Sequence, residues 1–168
     1  MKRQISIIDI AVLKDKNTAR QIGEFLTGPY AFEQKWAPDE KKFVIRACLE
    51  SLKDENHRYW YIKDGEKIVA ALGVRENKYG SGGYEMDQDY FAVHKDYRRK
   101  GLASKLLEEA EKFVKNRGGR YIHTLTCDIE TYKPANIFYK KHGYKKVGEM
   151  PNYYVESEGR IDYFKELK

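Results

Sequence analysis

The period of hydrophobic and polar positions changes several times along this chain, and each change marks an element. Around Ile5, Ile7 and Ile8 the positions alternate, which predicts a first strand over residues 5–10. Ile22, Phe25 and Leu26 then fall at helical spacing, so a helix is expected from a cap at Asn17 or Thr18 as far as Leu26, stopped by Gly28-Pro29. Pro38-Asp39-Glu40 opens a second helix that turns Phe43, Val44, Ala47 and Leu52 inward. "HRYWYIKDGEKIVAALGVREN", residues 57–77, reads as two strands joined at Asp64-Gly65. A glycine-rich loop, Asn77 to Tyr84, leads into "YEMDQDYFAV", which alternates as a strand over residues 84–93. The strongest helical pattern follows, with Leu102, Leu106, Leu107, Ala110, Phe113 and Val114 on one face and Gly118 just past its end. "RYIHTLTC" is a further strand, "KPANIFYKKHGY" a short helix ended by Gly143, and two short strands close the chain. The order β-α-α-β-β-β-α-β-α-β-β predicts an α/β chain of the α+β type, with a mixed, mostly antiparallel sheet of about seven strands flanked by helices.

Composition narrows this picture. At 168 residues and 41% hydrophobic, the chain suits one domain, 1–168, with a substantial core. No repeat, low-complexity tract or linker divides it. The net charge of +6, from 32 basic and 26 acidic residues, is too mild for a dedicated polyanion binder. Two cysteines, Cys48 and Cys127, cannot form a disulfide framework or a four-thiolate zinc site, and both read as small buried hydrophobes. The histidines His57, His94, His123 and His142 have no metal-binding spacing, so no metal is expected. Asp9 interrupts the apolar run near the start, which argues against a signal peptide, and no apolar run is long enough to span a bilayer. A cytoplasmic protein without membrane contact is expected.

The chemistry concentrates at "HKDYRRKGLAS", which lies after a strand and opens the long helix. A helix N-terminus offers unpaired N–H groups and a partial positive charge. Gly101 and Ala103 let an anion approach the backbone, and Arg98, Arg99 and Lys100 add full charges. The stretch is neither a P-loop nor a dinucleotide fingerprint, since the glycines and the lysine those need are missing.

Arg98-x-x-Gly101-x-Ala103 resembles the acetyl-CoA pyrophosphate loop of the GNAT N-acetyltransferase superfamily. "PANIFYKKHGYKKVGE" resembles that superfamily's later motif, with Ala135, Tyr139, Gly143 and Tyr144 in the matching positions. "NYYVESEGRIDYFKEL" is similar to its last hairpin. The resemblance implies a CoA-binding core over 57–168, with the CoA cleft between the fourth and fifth strands, and substrate-side helices over 1–56. It further implies acetyl transfer from acetyl-CoA to a primary amine by direct attack in a ternary complex. Main-chain groups of Phe91, Ala92 and Val93 would pair with the pantetheine arm. Arg98, Arg99, Lys100, Gly101, Leu102, Ala103 and Ser104 would bind the pyrophosphate. Asn136 would touch the cofactor, and Tyr139 would protonate the departing thiolate.

The amine must lose a proton before it attacks. Glu85, Asp87 and Asp89 lie on one face of a regular strand. Asp87 falls where histone-type acetyltransferases carry their glutamate, and Asp89 where spermidine/spermine acetyltransferases carry theirs. Two departures stand out. Tyr132 occupies the position where many members carry an asparagine, and Cys127 falls near the glutamate of ribosomal-protein N-terminal acetylases. Three carboxylates suit a cationic acceptor, either a small molecule or a peptide amine. A basic nucleic-acid binder using its 14 tyrosines as stacking platforms, and a CoA-binding sensor without turnover, are the alternatives. Nucleic acid is not the expected partner. Oligomeric state stays open, a homodimer included.

Overall fold

A computed structural model describes residues 9–32, 34, 36–86 and 89–167. The elements in chain order are β1 (Ile10–Val12), α1 (Lys16–Leu26), α2 (Glu40–Glu50), β2 (His57–Asp64), β3 (Lys67–Glu76), β4 (Gly83–Glu85), β5 (Phe91–Val93), α3 (Leu102–Asn116), β6 (Tyr121–Cys127), α4 (Lys133–Lys141), β7 (Lys145–Val155) and β8 (Glu158–Glu166). They group into two compact units, Met1–Val74 with Asp89–Ala110 and Arg75–Gln88 with Glu111–Lys168. β3 and α3 each run from one unit into the other.

In the first unit β1 pairs antiparallel with β2, and β3 pairs antiparallel with β5 through Ala70↔Val93 and Leu72↔Phe91. Its core gathers Ile22, Leu26, Val44, Cys48, Tyr59 and Ala71, with Phe25 and Trp36 packed against it. The cap of α1 is Asp15, not Asn17 or Thr18. Its carboxylate accepts from the Thr18 N–H at 2.9 Å and the Thr18 hydroxyl at 2.7 Å, which places Thr18 inside the first turn. The expected strand at 5–10 lies mostly outside the described residues, and β1 begins at Ile10.

In the second unit the end of β3 pairs antiparallel with β4, β4 runs parallel to β6, and β8 lies antiparallel to both β6 and β7. The closing strands are not short. β7 has 11 residues and β8 has 9. Their length escapes pattern reading because β7 is an edge strand exposed along both faces, with Pro151 where no ladder N–H is needed. Eight strands are described instead of about seven, because the expected strand at 84–93 is two pieces, β4 and β5.

The apolar stripe expected on α3 is buried as read, at Leu102, Leu106, Leu107, Ala110, Phe113 and Val114. Each of its leucines contributes about 1.5–3 kcal/mol by leaving water. This anchoring fixes where the first turn of α3 begins, and so where its amides point. Among the described residues no helix is long and apolar enough to cross a membrane.

Candidate active site

In the first unit β5 is followed by His94, one tight helical turn at Lys95–Tyr97, and then Arg98, Arg99 and Gly101 ahead of α3. Arg99 sits at φ 62° and Gly101 at φ 78°, so the chain turns twice through the left-handed region before the helix starts. A Cβ built on Gly101 would meet nothing within 4 Å, which leaves open space against the backbone where an anion would lie. The first amides of α3, from Leu102 to Ser104, precede the first intrahelical acceptor, Gly101 O, which takes the Lys105 N–H at 3.2 Å.

Arg98 is tied to backbone carbonyls. Its Nε donates to Val93 O at 3.2 Å and its Nη2 to Ala31 O at 3.0 Å, so the guanidinium ties the loop down from both sides. Arg98, Arg99 and Lys100 are all exposed, and Lys100 lies 5.0 Å from the centre of the Tyr97 ring. His94, which pattern reading did not single out for this loop, props it from below. Its ring stacks on Tyr30 at 4.7 Å, and its Nδ1 accepts from the Asp96 N–H at 3.1 Å. Burial, and then Lys67, hold its pKa below the usual imidazole value, so the prop is neutral.

Among the described strands β5 pairs with β3 alone, so no strand covers its second edge. An extended acyl-pantetheine arm fits such an edge as an added strand. Ala92 turns its side chain into the core, while Phe91 and Val93 are half-buried.

Of the three carboxylates that alternation lines up, two lie among the described residues. Glu85 ends β4, and Asp87 lies outside the described residues. Asp89 is 0% exposed. Its Oδ1 lies 2.5 Å from His57 Nε2 and accepts from the Tyr59 hydroxyl at 2.7 Å. The Tyr59 hydroxyl also lies 2.8 Å from Asp89 O, and Tyr90 beside it takes φ 63°. At Gly73 a Cβ would meet the Tyr59 ring at 2.5 Å and Asp89 Cβ at 2.6 Å, so the close approach needs glycine there. The buried network occupies the carboxylate and bends the chain just ahead of β5.

In the second unit Tyr139 stands on α4, 7% exposed, stacked on Tyr163 at 5.5 Å and edge-on to Tyr144 at 5.6 Å. Its hydroxyl shares a hydrogen bond with Thr124 of β6, and burial pushes its pKa up to about 12 despite that bond. Asn136, one turn earlier, has its carboxamide engaged on three sides. It donates to Cys127 O at 3.1 Å and to Tyr132 O at 2.9 Å, and it accepts from the Tyr163 hydroxyl at 2.7 Å. Asn136 therefore locks α4 to the end of β6, and beside it opens a shallow cavity of about 220 Å³ edged by Lys133, Lys140 and Lys146. Thr124 carries no motif, Tyr163 stands in the closing hairpin, and the sheet register brings both to Tyr139. Among the described residues no group of three or more His, Cys, Asp or Glu could hold a metal ion.

Residues 19–144 match the model of the Acetyltransferase (GNAT) family. The chain belongs to that family. The match contains the loop before α3, Asp89, Asn136 and Tyr139. Among curated proteins, this GNAT chain is 36% identical over 117 residues to a β-lysine N(6)-acetyltransferase of Methanococcus maripaludis, covering 68% of the chain and 38% of that protein. It is 39% identical over 67 residues to an N-α-acetyltransferase of Saccharolobus solfataricus, covering 40% of each. The chain thus spans about two fifths of the length of these two relatives. Among solved structures, an aminoglycoside 6′-N-acetyltransferase from Enterococcus faecium superposes with a TM-score of 0.73 at 20% identity, covering 96% of this chain and 98% of that one. A GNAT acetyltransferase from Staphylococcus aureus gives 0.71 at 16% identity, covering 95% and 100%. These likenesses establish the GNAT fold for this chain.

Proposed function

We propose that this chain is an acetyl-CoA-dependent N-acetyltransferase that acts on a primary amine by direct attack in a ternary complex. The observation that carries the reading is the loop before α3. There a glycine with open space above it, the exposed cations Arg98, Arg99 and Lys100 and the first amides of a well-anchored helix converge, as a pyrophosphate requires. Arg99, Lys100 and the amides from Gly101 to Ser104 hold the pyrophosphate, and Arg98 holds the loop. The open edge of β5 receives the pantetheine arm, and one of its N–H groups polarises the thioester oxygen.

In the transfer the amine lone pair forms the new N–C bond, the C–S bond breaks, and the amine gives up a proton. Tyr139 protonates the sulfur. Its raised pKa keeps the hydroxyl protonated through the physiological range, as a proton donor must be. Asp87 remains a proton acceptor proposed for the amine. Asp89, its carboxylate enclosed by His57 and Tyr59, aims β5 instead.

The acceptor is proposed to be a cationic amine, in a small molecule or at a peptide. The curated relatives' names, a β-lysine N(6)-acetyltransferase and an N-α-acetyltransferase, keep both classes in the proposal. The test is release of CoA thiol from acetyl-CoA across a panel of diamines, basic amino acids, aminoglycosides and peptides. Release with none of them removes the reading.

A further inference from the structure

The two ring nitrogens of His123 are in different situations. Nε2 lies 2.7 Å from Asp162 Oδ1, while Nδ1 has no hydrogen-bond partner among the described residues. The side chains are 23% exposed for His123 and 12% for Asp162. Across the β6–β8 ladder His123 stands opposite Phe164, and Asp162 is its diagonal neighbour. Asp162 is gripped from its other side by Arg160. There Nε reaches the two carboxylate oxygens at 3.1 and 3.0 Å, and Nη2 reaches Oδ1 at 2.6 Å. Arg160 is itself steadied by Tyr153, whose ring centre lies 5.1 Å away and whose hydroxyl accepts from Nη1 at 3.3 Å.

This chain of contacts determines a tautomer. Burial pushes the Asp162 carboxyl up, but the bonds from Arg160 and His123 outweigh it and hold the group below the usual carboxylate range. An ionised carboxylate can only accept, so the proton of the neutral ring sits on Nε2 and the lone pair on Nδ1. A ring fixed this way, with a bare nitrogen at a partly exposed edge, is arranged to take a proton.

We propose that His123 Nδ1 is a proton acceptor for the attacking amine, with Asp162 and Arg160 as positioning residues that hold the ring and its tautomer. The proposal rests on the acetyltransferase reading above and deepens it. Its second support is the alternation of β6. Thr124, the next residue, is hydrogen-bonded with the Tyr139 hydroxyl, and side chains of successive strand residues point to opposite faces. One strand thus presents the proposed proton acceptor on one face and the partner of the proposed proton donor on the other. The nitrogen loses a proton and the sulfur gains one, so the transfer uses two separate groups.

The step balances. Neutral His123 takes the amine proton at Nδ1, becomes imidazolium with its Nε2–H still on Asp162, and returns the proton to solvent through its exposed edge. The charged groups around the ring are Asp162 and Arg160 on β8, Glu85 in register with it on β4, and Arg75 opposite Glu85 on β3.

The test measures kcat/KM against pH for wild type, His123→Gln, Asp162→Asn and Asp87→Asn, with CoA thiol release as the readout. Glutamine can still donate to Asp162 but has no nitrogen that titrates in this range. His123→Gln should lower turnover by about 10²-fold or more and abolish the acidic limb, with acetyl-CoA affinity within a few-fold. Asp162→Asn should lower kcat with acetyl-CoA affinity within a few-fold, because the ring loses the carboxylate that fixes its tautomer. Ring-nitrogen NMR shifts of the wild-type protein read the tautomer without turnover, and hydrogen on Nε2 with a bare Nδ1 is the expected result. Hydrogen on Nδ1 overturns the proposal. So does a His123→Gln enzyme that keeps the wild-type limb, or a limb lost in Asp87→Asn alone. Those results leave acetyl transfer standing, whereas wild type inert with every amine removes both readings.

Discussion

His57 and Asp89, distant in the chain, meet at 2.5 Å inside the first unit with both side chains closed to solvent. Tyr59 donates to the same carboxylate, and burial followed by Asp89 raises its pKa well above the tyrosine value. A carboxylate so enclosed holds the bend ahead of β5. Asp89→Ala leaves two buried groups without their acceptor and should cost about 3 kcal/mol or more. Urea unfolding with an unchanged slope would measure it. If Asp89→Asn unfolds like wild type but loses the acidic limb of its pH–rate profile, Asp89 is the proton acceptor after all.

Gly101 lies at φ 78° with open space over its missing side chain. Gly101→Asp strains that backbone and places a negative charge where the pyrophosphate is proposed to sit. Acetyl-CoA affinity should fall by about 10²-fold or more, the order of several charge-assisted hydrogen bonds lost together. Calorimetric titration of the folded variant checks it. Arg99→Ala removes one exposed cation and should weaken binding only a few-fold. Equal affinity in wild type and Gly101→Asp removes the loop from the mechanism.

Arg98 is expected to behave unlike its neighbour. Arg98→Lys keeps the charge but cannot span both Val93 O and Ala31 O as the planar guanidinium does. The variant should show faster backbone exchange over 98–101 and weaker acetyl-CoA binding than Arg99→Ala. Wild-type exchange and binding in Arg98→Lys would show that those two bonds do not hold the loop.

Tyr139→Phe deletes one hydroxyl and leaves the ring packed on Tyr163 and Tyr144. Turnover should fall by about 10²-fold or more, with acetyl-CoA affinity within a few-fold. Full activity in the variant excludes the proton-donor role.

The same hydroxyl has a signature in stability. Burial raises its pKa from 10.0 to about 12, so the unfolded chain releases this proton first as pH rises. Its contribution is fully present below pH 10 and is lost as pH climbs towards 12. Urea midpoints followed through that range should fall less steeply in Tyr139→Phe than in wild type.

The sequence by itself determined the parts of this protein that depend on neighbours a few residues apart. The apolar stripe of α3 is a matter of helical spacing, and all six of its residues are buried. The Asp64-Gly65 turn and the loop of Arg98, Gly101 and Ala103 are local as well, which is why the family resemblance could be read from them. The tertiary structure alone decided how those parts are held. Alternation along 84–93 does not record how Asp89 is held. The bend at Tyr90 and the approach of β2 turned Asp89 inward to His57 and Tyr59. Arg98 donates to Ala31 O, far back in the chain, a contact that local spacing does not record. Thr124 and Tyr163 reach Tyr139, and Asp162 reaches His123, only through the register of β6 and β8. Register and bends are set by long-range packing, and the local spacing of residues records neither.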